Sequence, residues 1–151
     1  ARFNPQYYIG KADVASYAAN PSQATLVDGR SDAQFYAAAK HPKAAKARRS
    51  PSAILMDQDN AYAAELNRLK SRDELAEIFR SVGDKTIVSY CKTGHWAATN
   101  WFVMSEVLGK GNVKLYDGSM VEWTTDSSLP LDVSGKSNMQ KIKDMFSGLL
   151  G

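Results

Sequence analysis

The stretch Thr86-Ile87-Val88-Ser89-Tyr90-Cys91-Lys92-Thr93-Gly94-His95-Trp96-Ala97 decides how this chain is read. Residues 86–90 are β-branched, apolar and aromatic, the composition of a buried central strand. The only cysteine of the chain follows that strand directly. A short polar loop with one glycine comes next, and a helix is predicted over residues 97–108, stopped by Gly109. In such a loop the backbone N–H groups can form an anion-binding nest. The helix start adds unpaired N–H groups and a partial positive charge. A thiolate there is stabilised relative to the thiol, and Lys92 and His95 would add positive charge beside it. The same cradle suits an oxyanion or the outer sulfur of a persulfide. Position alone leaves a second reading open, because a lone cysteine after a strand is commonly a small buried hydrophobe.

Outward from this segment, strands and helices alternate. Residues 6–9 read as a short edge strand or a lead-in. Residues 11–19 are good helix formers and stop at Asn20-Pro21. Residues 24–28 form a short apolar run ending in the carboxylate of Asp28, read as a buried strand. A short helix capped by Ser31 is predicted over 31–39, then a basic loop over 40–52 and a second short strand over 53–56. Ser71-Arg72-Asp73-Glu74 matches a capping box. Leu75, Ile78, Phe79 and Val82 follow at helical spacing, with Gly83 as the stop. Residues 113–116 read as another strand, followed by the turn Asp117-Gly118. Residues 138–150 carry Met139, Ile142, Met145, Phe146 and Leu149 on one helical stripe. This alternation predicts an α/β domain with a largely parallel sheet. Ligands of such sheets lie beyond the carboxyl ends of the strands. Two of those ends carry chemistry here, at Asp28 to Arg30 and at Cys91 to Trp96.

The length of 151 residues suits one domain with one core. Hydrophobic residues make up 44% and the formal net charge is +3, ordinary values for a globular chain. The densest basic run, from Lys40 to Arg49, has no Phe, Tyr or Trp inside it, so nucleic-acid binding is not expected. No run of about 18 apolar residues occurs, so no membrane-spanning helix is expected. One cysteine excludes an internal disulfide. His41 and His95 lie too far apart in sequence to form a metal-ligand pattern with Cys91, and no cofactor is implied. The chain opens with Ala-Arg-Phe in place of Met. That start fits a removed signal peptide, a removed tag or a domain cut from a longer protein, and leaves periplasm and cytoplasm both open.

Four separated motifs, in order, resemble the rhodanese family. Leu26-Val27-Asp28-Gly29-Arg30-Ser31 resembles its N-terminal signature, a strand ending in Asp-x-Arg. Ser50-Pro51-Ser52-Ala53 resembles its Ile-Pro-Gly-Ala turn, with Arg49 where a His is common and Ser52 in place of Gly. Ile87-Val88-Ser89-Tyr90-Cys91-Lys92-Thr93-Gly94 resembles the active-site strand and loop. Leu115-Tyr116-Asp117-Gly118-Ser119-Met120-Val121-Glu122-Trp123 is similar to its Asp-Gly-Ser…Glu-Trp signature.

The resemblance implies a three-layer α/β/α domain on a mostly parallel five-stranded sheet. It also implies a double-displacement sulfur transfer. Cys91 would take the outer sulfur of a small anionic donor such as thiosulfate, become a persulfide, and pass the sulfur to cyanide, a thiol or a protein thiol. Lys92, Thr93, Gly94, His95 and Trp96 would bind substrate, with N–H donors spread over the six residues from Cys91 to Trp96. Asp28 and Arg30 would shape the site, Arg30 pairing with Asp28 or with Glu122. Ser119 reads as a turn hydroxyl and Trp123 as a core anchor.

Some positions depart from the family pattern. Thiosulfate-using loops carry two basic residues after the cysteine, and here Lys92 is followed by Thr93. Mercaptopyruvate-using loops read Cys-Gly-Ser-Gly. The second cation that family members often carry four positions past the Asp-x-Arg arginine is Gln34 here. Lys92 favours thiosulfate, and the donor stays open. A phosphatase would need a Cys followed by five residues and an Arg to clamp its oxyanion, and that position is Ala97. A non-enzymatic persulfide relay or interaction module is the other reading. Family domains also occur in tandem, which leaves open a second rhodanese-like domain as partner, residues 1–151 then being the C-terminal unit.

Overall fold

The computed structural model of the chain describes residues 4–36 and 49–132. In chain order its elements are α1 (Lys11–Ala19), β1 (Ala24–Asp28), α2 (Asp32–Phe35), β2 (Ile54–Leu55), β3 (Tyr62–Ala63), β4 (Arg68–Leu69), α3 (Arg72–Ile78), β5 (Thr86–Tyr90), α4 (His95–Phe102), β6 (Val113–Leu115) and α5 (Ser119–Thr125). Four strands form one parallel sheet in the order β2-β1-β5-β6. β1 and β5 pair along their full length, from Ala24 opposite Thr86 to Asp28 opposite Tyr90.

The fifth strand expected at the edge is reduced to one bridge, Tyr8 to Leu115. The N–H groups of Tyr7 and Tyr8 are consumed in a turn by the carbonyl of Asn4. Only the Tyr7 carbonyl and the Ile9 N–H remain to pair with Leu115.

Side chains of successive strand residues point to opposite faces, and both faces here are covered. Val27, Ile87 and Val113 face one layer, packed with Leu75 of α3, with Phe79 just after it, and with Val103 and Met104 beyond α4. Leu26, Val88 and Tyr90 face the other layer, packed with Val14 and Ala18 of α1 and with Met120 and Trp123 of α5. Two-sided burial is why β1 and β5 read as near-continuous apolar runs. The three-layer α/β/α expectation and the core role of Trp123 are both met.

The capping box at the start of α3 forms in both directions. Ser71 Oγ accepts the Glu74 N–H, and the Glu74 carboxylate accepts the Ser71 N–H. Other boundaries move. α4 starts at His95, two residues before the predicted start, and passes into a π-helical turn at Val103–Val107 before Gly109, whose φ is +71°. α2 covers only Asp32–Phe35 among the described residues, and Ser31 sits at its N-cap without a side-chain bond. The rest of the predicted 31–39 helix, most of the basic loop, His41 and the 138–150 stripe lie outside the described residues. The β3–β4 hairpin and α5 were not read from the sequence.

β1 leads to β2 on one side, whereas β5 pairs on the other side of β1. The switch point between β1 and β5 lies beyond Asp28 and Tyr90, the place in doubly wound sheets where ligands bind.

Candidate active site

Cys91 leaves the carboxyl end of β5 and is fully buried. Its N–H donates to Ser119 Oγ at 3.0 Å. Its carbonyl accepts the Met120 N–H at 3.1 Å, and the Lys92 carbonyl accepts the Val121 N–H at 3.1 Å. The first turn of α5 therefore clasps the start of the loop. On the sulfur side, the Gly94 N–H donates to Cys91 Sγ at 3.2 Å.

Gly94 is needed twice. Its φ of +96° lies in the left-handed half of the map that side chains disfavour. A Cβ there would also collide with the Asp117 carboxylate and come within 2.9 Å of the Asp117 carbonyl. The loop proper is Cys91 to Gly94, shorter than the predicted six residues, because His95 and Trp96 belong to the first turn of α4. They still bring N–H groups to the same place, since the first-turn amides of a helix have no partner within it.

The side chains of the loop separate in role. Lys92 Nζ lies 3.8 Å from the centroid of the Trp96 ring, a cation–π contact that fixes the one lysine of the loop. Thr93 is half-buried and His95 is exposed.

At the end of β1, Asp28 and Arg30 are both buried and face each other as a fork. Arg30 Nε lies 2.9 and 3.0 Å from the two Asp28 oxygens, Nη2 lies 2.7 Å from Oδ2, and the Arg30 N–H donates to Oδ1 at 3.1 Å. Of the two partners considered for Arg30, Asp28 is the one used. Glu122 instead accepts the Tyr116 hydroxyl at 2.7 Å. Burial works against the Arg30 charge, but attraction to Asp28, with smaller pulls from Tyr90 and Cys91, holds its pKa above the ordinary guanidinium value. Arg30 thus stays charged, and its charge is met by the Asp28 carboxylate in a buried ion pair. Burial, followed by the nearby Asp28 charge, pushes the Tyr90 hydroxyl well above the usual phenol value, so Tyr90 stays neutral.

The Ser50-Pro51-Ser52-Ala53 turn closes this side. Ser50 is buried, and Ser52 has a φ of +62°. That is the turn position after a proline where glycine is favoured, and the resembling family carries glycine there.

The structure thus brings Asp28, Arg30 and the Cys91 loop to the adjoining carboxyl ends of β1 and β5, with Gly29 N–H bonded to the Tyr90 carbonyl at 2.8 Å. The sequence reading missed the part played by Ser119, whose hydroxyl bonds the Cys91 backbone. Among the described residues, no group of three or more His, Cys, Asp or Glu is placed to hold a metal ion.

A profile of the Rhodanese-like domain matches residues 12–126. A candidate thiosulfate sulfurtransferase of Saccharopolyspora erythraea is 37% identical over 116 residues, covering 71% of this chain and 41% of that protein. The thiosulfate sulfurtransferase of Corynebacterium glutamicum is 33% identical over 116 residues, covering 72% of this chain and 38% of that protein. The chain spans about two fifths of the length of these curated relatives. Among solved structures, SseA of Escherichia coli, described as a 3-mercaptopyruvate sulfotransferase of "Rhodanese" fold, superposes with a TM-score of 0.63 at 30% identity, over 79% of this chain and 44% of its own. The anaerobic ergothioneine biosynthesis enzyme of Chlorobium limicola superposes with a TM-score of 0.75 at 23% identity, over 85% of this chain and 32% of its own, a likeness of fold alone. Profile, relatives and the strand-end motifs agree, and the chain belongs to the rhodanese-like domain family.

Proposed function

We propose that the chain is a sulfurtransferase that carries sulfane sulfur as a persulfide on Cys91. The observation that carries this reading is the Gly94 N–H bonded to a buried Cys91 Sγ, beside the helix start of α4. Such a setting holds an added sulfur among N–H donors. In the first step the Cys91 thiolate attacks the outer sulfur of thiosulfate. The S–S bond of the donor breaks, sulfite leaves with the bonding pair, and a Cys91 persulfide remains. In the second step a cyanide or thiolate acceptor attacks the outer sulfur of that persulfide, and the Cys91 thiolate is regenerated. Splitting the transfer in two is covalent catalysis.

Lys92 binds the sulfonate end of the donor in this reading, and Thr93, Gly94, His95 and Trp96 line the approach. Arg30 and Asp28, locked in their ion pair, shape the wall of the site at the end of β1. The names of the Saccharopolyspora and Corynebacterium relatives support thiosulfate as donor, and that of the Escherichia coli neighbour keeps 3-mercaptopyruvate as the donor to compare. Well over half of each curated relative lies outside the match, which supports a working arrangement beside a second domain.

The test is intact mass after incubation of the reduced protein with thiosulfate. A gain of about 32 Da, one sulfur atom, is expected for covalent transfer and should be lost in Cys91→Ser. No gain, or an equal gain in the variant, would overturn the reading. Turnover with cyanide then separates an enzyme from a slow relay.

A further inference from the structure

α5 opens on a residue in an unfavourable backbone conformation. Ser119 is fully buried with a φ of +50°. Left-handed backbone strains a residue with a Cβ, whereas glycine takes it freely. A strained non-glycine residue is kept where its side chain does something that glycine cannot. Here the hydroxyl works in both directions. It accepts the Cys91 N–H at 3.0 Å and donates to the Tyr116 carbonyl at 2.9 Å.

We infer that Ser119 is a positioning residue for Cys91, and that the first turn of α5 aims the amides of the sulfur-carrying loop. The inference rests on Cys91 being the sulfur carrier. Three backbone groups at the start of the loop are held by three consecutive residues of α5. The Cys91 N–H goes to Ser119 Oγ, the Cys91 carbonyl to the Met120 N–H, and the Lys92 carbonyl to the Val121 N–H. In a trans peptide the carbonyl and the following N–H point in opposite directions. With the Cys91 and Lys92 carbonyls fixed on α5, the N–H groups of Lys92 and Thr93 must point away from it. They are left free for the sulfur or its cargo, alongside the Gly94 N–H already on Sγ. The same rule holds one peptide earlier. The Cys91 N–H turns to α5 and the Tyr90 carbonyl turns to Gly29 on the β1 side. Without the Ser119 hydroxyl, the Cys91 N–H would lose its partner inside the protein, and the loop would lose the first of its three anchors.

Two variants separate strain from positioning. Ser119→Ala removes the hydroxyl and keeps the strain. Ser119→Gly removes the hydroxyl and relieves the strain, so it should melt at or above the alanine variant. A purely structural role predicts that activity follows stability, with the glycine variant near wild type. Positioning predicts that both variants lose roughly ten-fold in kcat, the cost of one buried unpaired donor, with KM for thiosulfate unchanged. Alkylation of Cys91 by iodoacetamide at neutral pH should also slow in both, a readout that needs no sulfur transfer. Wild-type kcat and wild-type alkylation in Ser119→Gly would overturn the inference. If the wild-type protein takes up no sulfur from thiosulfate, the sulfur-carrier reading falls on its own, while the alkylation rates still decide the role of Ser119.

Discussion

Lys92 is the one lysine in the loop after Cys91, and it does not stand free. Its ammonium rests 3.8 Å from the Trp96 ring centroid, so Trp96 sets where the charge is presented. With Thr93 and Gln34 at positions where the family pattern often has cations, the placement of Lys92 matters more in this chain. Lys92→Ala should raise KM for thiosulfate with little change in kcat, as expected when uniform binding is removed. Trp96→Leu should raise KM by about two- to five-fold, the worth of an exposed cation–π contact. In the Lys92→Ala background the same change should have no effect. Full additivity in the double variant would sink the tether. Both residues were visible in the sequence as loop positions, but their contact was not, because it depends on a helix that starts at His95. For Arg30 the sequence left two carboxylates open as partners. The choice follows from backbone geometry, since Asp28 ends β1 and the chain turns at once, folding the guanidinium two residues on back onto it.

At the scale of elements, the loop-to-helix junction turns on Gly94. Substitution by alanine would strain the backbone at φ +96° and drive a methyl into the Asp117 carboxylate. Gly94→Ala should lower the melting temperature, and sulfur uptake by Cys91 should fall by at least about ten-fold, the loss expected when a preorganised donor is displaced. Mass spectrometry of the folded variant after exposure to thiosulfate checks this, and wild-type uptake would show that the junction tolerates a side chain. The strands were legible because two-sided burial leaves an apolar run, and α3 was legible through its capping box. α4 was misplaced by two residues because Gly94 caps it without any side-chain signal. α5 went unseen because Asp117-Gly118 reads as a turn and Ser119 enters the helix from a left-handed conformation. Its signal was the spacing of Met120, Trp123 and Thr124, all buried. Missing α5 also meant missing the role of Ser119.

Across the whole molecule, the sheet order β2-β1-β5-β6 sets the switch point between β1 and β5. Strand identities alone do not reveal that order, because parallel neighbours are chosen by crossovers rather than by local turns. The layer formed by α1 and α5 is joined by Lys11 and Asp126, which are 115 residues apart and 2.8 Å from each other. The hydrogen bond from Lys11, helped by Ser128, lowers Asp126 from an ordinary 3.8 to about 2. The hydrogen bond with Asp126 raises Lys11 above its ordinary 10.5. A carboxylate depressed in the folded state stabilises fully above its unfolded value, and that contribution is lost as the pH falls through the folded value. An ammonium raised in the folded state stabilises fully below its unfolded value, and loses that contribution as the pH rises through the folded one. The link is therefore constant across the neutral range and fades at both ends. Because the pair lies at the surface, salt screens it. In urea melts at low ionic strength, Asp126→Asn should be less stable than wild type near neutrality. The gap should close between about pH 4 and pH 2, and should shrink with added salt at any pH. A gap that stayed constant down to about pH 2 would mean that the carboxylate charge has no part in joining α1 to α5.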